Sequence, residues 1–232
     1  MEKLMSNTQT LRKTHSNFSG GKTIFSDGAK AIEGNMTSVV PLVMEQVENN
    51  YPSVTFKWHK TIKKDSEYYD LEGYTLQNKN ASIKPDGGMI TADDIPIFFG
   101  EVKNQGTNHL RIKEGLPKQS MGNGIERIYK NIVEIQHIMK DYSFMPYIIF
   151  VQGSDFHEGS SIVDRLSMLA PFNKLKIKGD LPSVYLALNT SWENDPKQWT
   201  AEDMKDICYN SCSRIVETYV LSRKTNNNLH RE

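Results

Sequence analysis

The sequence has little cysteine: Cys208 and Cys212 are its only two. Four residues apart, they fall on one face of a helix in a geometry unsuited to a disulfide, and no second Cys or His pair stands nearby to complete a zinc site. Both are expected to be buried, reduced thiols. Long apolar runs are missing as well: nothing approaches the roughly 18 residues of a membrane span. The polar start, with Ser6, Asn7, Thr8, Gln9, Thr10, Arg12 and Lys13, lacks the apolar core of a signal peptide. A soluble protein of the cytoplasm, with no membrane partner, is expected. Charge of one sign is not in excess either, since 28 Lys and Arg balance 28 Asp and Glu. Net charge therefore gives no pointer to a polyanionic partner. Local basic stretches at Lys57 to Lys64, Arg111 to Lys118 and Lys174 to Lys178 read, taken alone, as solvated faces. With 38% hydrophobic and 24% charged residues in 232, and no biased tract or internal repeat, the chain has a globular composition and the length to bury a core.

Patterning along the chain predicts an α/β fold, a mixed central β-sheet flanked by helices. Residues 1–22 are polar, end in Gly20-Gly21 and read as a flexible arm before one domain over 23–232. Val39, Val40, Leu42, Val43 and Val47 predict a helix over 37–49, stopped at Asn50 and Tyr51-Pro52. Val54, Phe56 and Trp58 alternate with polar neighbours, a strand over 53–60. After a polar, Asn-rich segment come a turn at Lys84-Pro85-Asp86-Gly87-Gly88, a short strand from Met89, a turn at Asp93-Asp94 and an apolar strand over 95–102. Ile125, Ile128, Ile132, Ile135, Ile138 and Met139 recur at three and four, an amphipathic helix starting near Gly124. Further strands are expected at 147–151 and 184–188, with helices around 161–169 and from the Thr200/Asp203 cap to about Leu221. Trp58, Trp192 and Trp199 are expected to pack in the core or at sheet edges, and the six histidines, His137 among them, show no ligand spacing.

One constellation carries chemistry. Asp86 follows a Pro, and fourteen residues separate it from Glu101-Val102-Lys103, where Glu and Lys share a strand face because they are two apart. Phosphodiester hydrolysis adds negative charge around a phosphorus already ringed by anionic oxygens. Such a site needs a hard cation held by oxygen ligands and a positive group near the attacking water. Asp86, Glu101 and the carbonyl of Val102 are the candidate Mg²⁺ ligands. Lys103 is the candidate group that orients the water and favours its hydroxide form. At the start of the long helix, Asn123, Glu126 and Arg127 stand where backbone N–H groups favour anions. In a major groove Asn bonds adenine at N6 and N7, Arg donates to purine acceptors, and Glu126 either holds Arg127 in register or accepts from an amine. Lys84 is the candidate phosphate clamp, and Gln105 is a candidate thymine contact.

The segments Ser82 to Gly88, Glu101 to Gly106 and Gly122 to Arg127, the last followed by Lys130-Asn131-Ile132 and Glu134-Ile135, resemble in the same order those of the EcoRI family of type II restriction endonucleases. Ile24-Phe25 with Asp27, Ala29, Lys30 and Ala31, Asn50-Tyr51-Pro52, Phe56 and Ile62-Lys63-Lys64 resemble the family's N-terminal region. Pro146-Tyr147 through Phe150 to Gly153-Ser154, Phe156 and Asp164-Arg165-Leu166 resemble its second half. The resemblance implies a homodimeric, Mg²⁺-dependent nuclease of the PD-(D/E)xK fold. It implies Asp86, Glu101 and Lys103 as catalytic residues. Double-stranded DNA would be cut at a palindrome centred on AATT, leaving 5′-phosphates, alongside a protecting methyltransferase. It also places Gly124 and Lys130 in the DNA-reading segment and leaves Arg165 to read the outer pair, giving GAATTC or RAATTY.

Three departures accompany the match. The chain is much shorter than the family between Phe156 and Arg165, Gly124 stands where the family has Ala, and Met168 replaces a second Arg. A sequence-specific DNA-binding protein of the same fold without activity is the alternative, disfavoured by the intact Asp86, Glu101 and Lys103. A structure-specific or repair nuclease is a third, disfavoured by the Asn123 to Arg127 motif.

Overall fold

Ile32, Met36, Val39, Val40, Val43 and Val47 recur at three- and four-residue steps, and all six are buried. This stripe builds helix α1, Ile24–Asn50, which starts well before the predicted residue 37. Gly28, Gly34 and Pro41 mask it in the sequence, yet Pro41 lies on the exposed side of the helix with Thr37, one turn before it, exposed as well. Leu42 is also on that side, 47% exposed. In this computed structural model the described residues are 24–63, 82–105, 115, 122–142, 144–153, 155–169, 184–187 and 197–222. The expected arm at 1–22 and the Asn-rich segment at 65–80 lie outside them.

The strands are β1 (Phe56–His59), β2 (Ile62–Lys63), β3 (Ser82–Ile83), β4 (Gly88–Ala92), β5 (Ile95–Asn104), β6 (Tyr147–Gln152) and β7 (Val184–Leu186). Five of them form one sheet in the order β1-β4-β5-β6-β7, while β2 and β3 make a separate two-stranded ribbon. β1, β4 and β5 are antiparallel neighbours, and β6 and β7 continue in parallel with β5, so the sheet is mixed as expected. Helices α2 (Gly122–Ile138), α3 (Ser161–Leu169) and α4 (Ala201–Ile215) complete the described elements, and α4 runs on through a π-helical turn, Val216–Val220. Thr200 caps α4 as predicted, its hydroxyl accepting from Asp203 N–H at 3.2 Å.

Local chemistry explains the hairpin that carries the site. Asp93 and Asp94 have φ of 46° and 65°, the doubly left-handed pair of a tight hairpin turn that Asp tolerates better than most residues. Asp93 is tied to Thr55 in both directions, N–H to carbonyl and Oδ1 from N–H, at 2.8 Å each. Opposite Ile90 and Thr91 stand Phe98 and Pro96, so Ile97 is the extra residue of a β-bulge, the place where a Pro without an N–H does least harm. β5 is central and buried from Ile95 to Val102, and only its last residues emerge. α1 and α4 pack on one face, with Met36 against Gly100 and Trp199 edge-on to Phe150. α2 lies on the other, where Asn131 donates to the hydroxyl of Tyr147 at 3.3 Å. One continuous cluster of buried side chains joins α1, the sheet, α2 and α4.

Candidate active site

The Pro85-Asp86-Gly87-Gly88 turn is held by the sheet it enters. Gly88 N–H donates to Pro85 O and Gly87 N–H to Gly100 O, both at 2.9 Å. From β1, Trp58 Nε1 donates to Gly87 O at 3.0 Å. Gly88 needs its hydrogen side chain: its φ is +68°, and a Cβ there would stand 2.5 Å from His59 O. The turn therefore sits tightly against β1 and β5, and Asp86 is delivered to the emerging end of β5.

There the sequence expectation of a clustered Asp, Glu and Lys is met. Lys103 Nζ donates to Val102 O at 2.9 Å, to Asp86 Oδ2 at 3.4 Å and, closer still, to Glu101 Oε1. Asp86 Oδ2 also accepts from Val102 N–H at 3.0 Å, which fixes the carboxylate across the β5 backbone. Glu101 is 3% exposed, and among the described residues nothing bonds its Oε2. Burial pushes its carboxyl up to about 7, with Asp86 adding to the rise and Lys103 opposing it. A buried carboxylate this costly, backed by a second one, suits a cation centre. The donor set fits Mg²⁺: the three oxygens already converge on one positive group, the Lys103 ammonium, and all three are hard ligands.

Two residues beside this centre were not assigned to it from the sequence. Tyr147, fully buried at the start of β6, sits behind Glu101, and burial first, then the charge of Glu101, drives its hydroxyl well above the usual phenol range. Its signal was faint, a lone hydroxyl inside an apolar strand. Trp58 packs half-buried as expected, but it also braces the Asp86 turn, and Lys60 lies 4.8 Å over its ring. Beside Asp86 opens a cleft of about 420 Å³, lined by Glu33, Thr37, Trp58, Lys60 and Lys84 as well as the turn itself.

The DNA-reading candidates divide by exposure. Lys84, Glu126, Arg127 and Lys130 are exposed, with Lys130 3.5 Å from Glu134, and Arg165 is exposed on α3 next to the 72% exposed Met168. Asn123 lies in the first turn of α2, and its side chain is outside the described residues. Gln105 is different: it is buried, and its carboxamide packs on Gly124. Cys208 and Cys212 are buried free thiols, as predicted. Among the described residues no helix is long and apolar enough to cross a membrane.

Known proteins resemble this sequence over much of its length. A type II restriction enzyme, EcoRI of Escherichia coli, is 34% identical over 165 residues, covering 63% of this chain. RsrI of Cereibacter sphaeroides, also a type II restriction enzyme, is 29% identical over the same length. The chain spans about 60% of the length of each of these relatives. The family model of restriction endonuclease EcoRI matches residues 18–168, a stretch that holds Asp86, Glu101, Lys103, the first turn of α2 and Arg165. With that match over well more than half of its length, the chain belongs to the EcoRI family of restriction endonucleases.

Proposed function

We propose that the protein is a type II restriction endonuclease that hydrolyses phosphodiester bonds of double-stranded DNA with Mg²⁺, at a short palindrome centred on AATT, and leaves 5′-phosphates. The observation that carries this reading is the convergence of Asp86 Oδ2, Glu101 Oε1 and Val102 O on one cationic group at the emerging end of β5. Asp86, Glu101 and the Val102 carbonyl would hold Mg²⁺, and the ion would supply a Lewis acid for the charge that develops on the phosphate. Lys103 is carried on a flexible four-carbon stem, so its ammonium is free to leave the carboxylates and orient the attacking water, favouring its deprotonated form. Lys84, exposed beside Asp86, clamps a backbone phosphate. Asn123, Glu126 and Arg127, with Gly124 and Lys130, bring the first turns of α2 to the major groove, and Gln105 supports them. Two-fold DNA is met most simply by two copies of the chain, and a cytoplasmic nuclease of this kind needs a DNA methyltransferase to shield its host.

The outer base pair falls to Arg165. An Arg reaching guanine O6 and N7 selects G·C and gives GAATTC, whereas contact through N7 alone admits either purine and gives RAATTY. Incubating plasmid DNA with Mg²⁺ and, separately, with Ca²⁺ tests the reading. Discrete fragments with Mg²⁺ are the expected result. Retarded but intact DNA in both metals would identify an inactive binding protein, and a smear a nuclease without site preference. Sequencing the ends cut from a random library then gives the outer letters, and a centre other than AATT would overturn the recognition assignment. In the same assays Glu101→Gln is expected to cut at under a few per cent of the parent rate while still retarding the site, because it removes a metal ligand and one charge that repels phosphate.

A further inference from the structure

The contact between Gln105 and Gly124 joins two parts of the protein that are far apart in sequence. Gln105 follows the catalytic strand directly, two residues after Lys103, and Gly124 lies in the first turn of α2. A Cβ on Gly124 would stand 1.6 Å from Gln105 Nε2 and 2.8 Å from its Cδ. The side chain thus occupies the volume that any larger residue at 124 needs. The backbone beneath it is fixed, because Gln105 N–H donates to Gln152 O at 2.9 Å and its carbonyl accepts from Asp155 N–H at 3.1 Å, so any retreat must come from the side-chain torsions. Gly153, at φ +117°, is pressed on the same backbone, where a Cβ would come within 2.1 Å of Gln105 O.

The helix is equally unable to slide away. Ile125 and Ile128 bury its first turns, and two turns on from Gly124 the Asn131 side chain is bonded to the fully buried Tyr147. Among the described residues nothing bonds Gln105 Oε1, although the residue is 8% exposed.

We propose that Gln105 is a positioning residue matched to Gly124. Its buried carboxamide wedges the first turn of α2 against the end of β5, so that the segment facing the bases is kept in register with Glu101 and Lys103. The cleavage part of this inference rests on the nuclease reading, and the fit of the pair does not.

A double-mutant cycle tests it. Ala is a better helix former than Gly, so Gly124→Ala is favourable wherever there is room. In the parent it is expected instead to lower the melting midpoint by about 3 °C or more. In a Gln105→Asn background, one methylene shorter, the same change is expected to leave the midpoint level or raise it. On DNA, the ratio of single-turnover rates for the preferred site and for a site changed at one base is expected to fall roughly tenfold in Gly124→Ala, from loss of registration. That ratio should recover in Gln105→Asn/Gly124→Ala. Equal effects of Gly124→Ala on the midpoint in both backgrounds overturn the matched pair. A coupled midpoint with an unchanged ratio overturns the positioning role and leaves packing alone. If the parent cuts no DNA at all, the nuclease reading falls, and the midpoint cycle still decides whether the pair is matched.

Discussion

Glu101 is the residue at which stability and chemistry oppose each other. Its carboxyl rises to about 7, mainly through burial, against about 4.3 in an unfolded chain. Below the unfolded value both states hold the proton and there is no cost. As pH climbs through the interval, the unfolded chain ionises while the fold retains its proton, so stability falls, and above about 7 the full cost is present. Glu101→Gln removes an ionisable group from this buried place. With metal chelated, it is therefore expected to raise stability at pH 8 by on the order of 2 kcal/mol, a midpoint shift of roughly 4–8 °C, and to have little effect near pH 4. Calorimetric scans of both proteins across that range check it. A midpoint that falls at pH 8 would mean that the bond from Lys103 outweighs desolvation. Cys208 and Cys212 illustrate the opposite extreme. Burial pushes both thiols up and keeps them from reagents, so neither is expected to react with an alkylating agent until the protein unfolds, as mass spectrometry of timed samples would show.

Among the elements, β1 has more influence on the site than its short span suggests. Trp58→Phe keeps a ring in place but deletes the donor to Gly87 O, and it is expected to cost about 1 kcal/mol in denaturant melts. The larger effect falls on the reaction, roughly tenfold in the cleavage rate constant, because the turn that presents Asp86 loses its brace. The same element marks where a sequence is legible. Alternation at Phe56 and Trp58 located the strand, and glycine and proline chemistry located the Asp86 turn. The five predicted isoleucines of α2 and Met139 just beyond it all proved buried, as their helical period required. The clustering of Asp86 with Glu101, Val102 and Lys103 was legible because a hairpin can close that spacing. The first half of α1 was lost to the breaker signals of Gly28, Gly34 and Pro41, although Ile32 and Met36 extend the same stripe. Gln105 could not be placed inside rather than outside from sequence, because a polar side chain at a strand end fits either setting. Its position is decided by Gly124, nineteen residues later, and no local pattern connects the two.

Contacts between α1 and α4, far apart in sequence, close the described fold. α4 packs along α1 and reaches β5. Polar bonds fasten the same seam: Asn35 donates to Trp199 O, and Tyr51 bonds Ser213 and Glu217. α4 lies beyond the 18–168 stretch of the family match, yet Met204, Cys208, Cys212 and Ile215 are fully buried within the common core. A chain ending at residue 196 is accordingly expected to show no cooperative thermal transition and to bind a hydrophobic dye, as calorimetry and fluorescence would record. During synthesis this arrangement has a protective meaning. Asp86, Glu101 and Lys103 are translated within the first 103 residues, but the helix that covers the opposite face of their sheet emerges only after residue 200. An unfinished polypeptide on the ribosome lacks that covering helix, so the proposed activity is expected only once α4 has been made and packed.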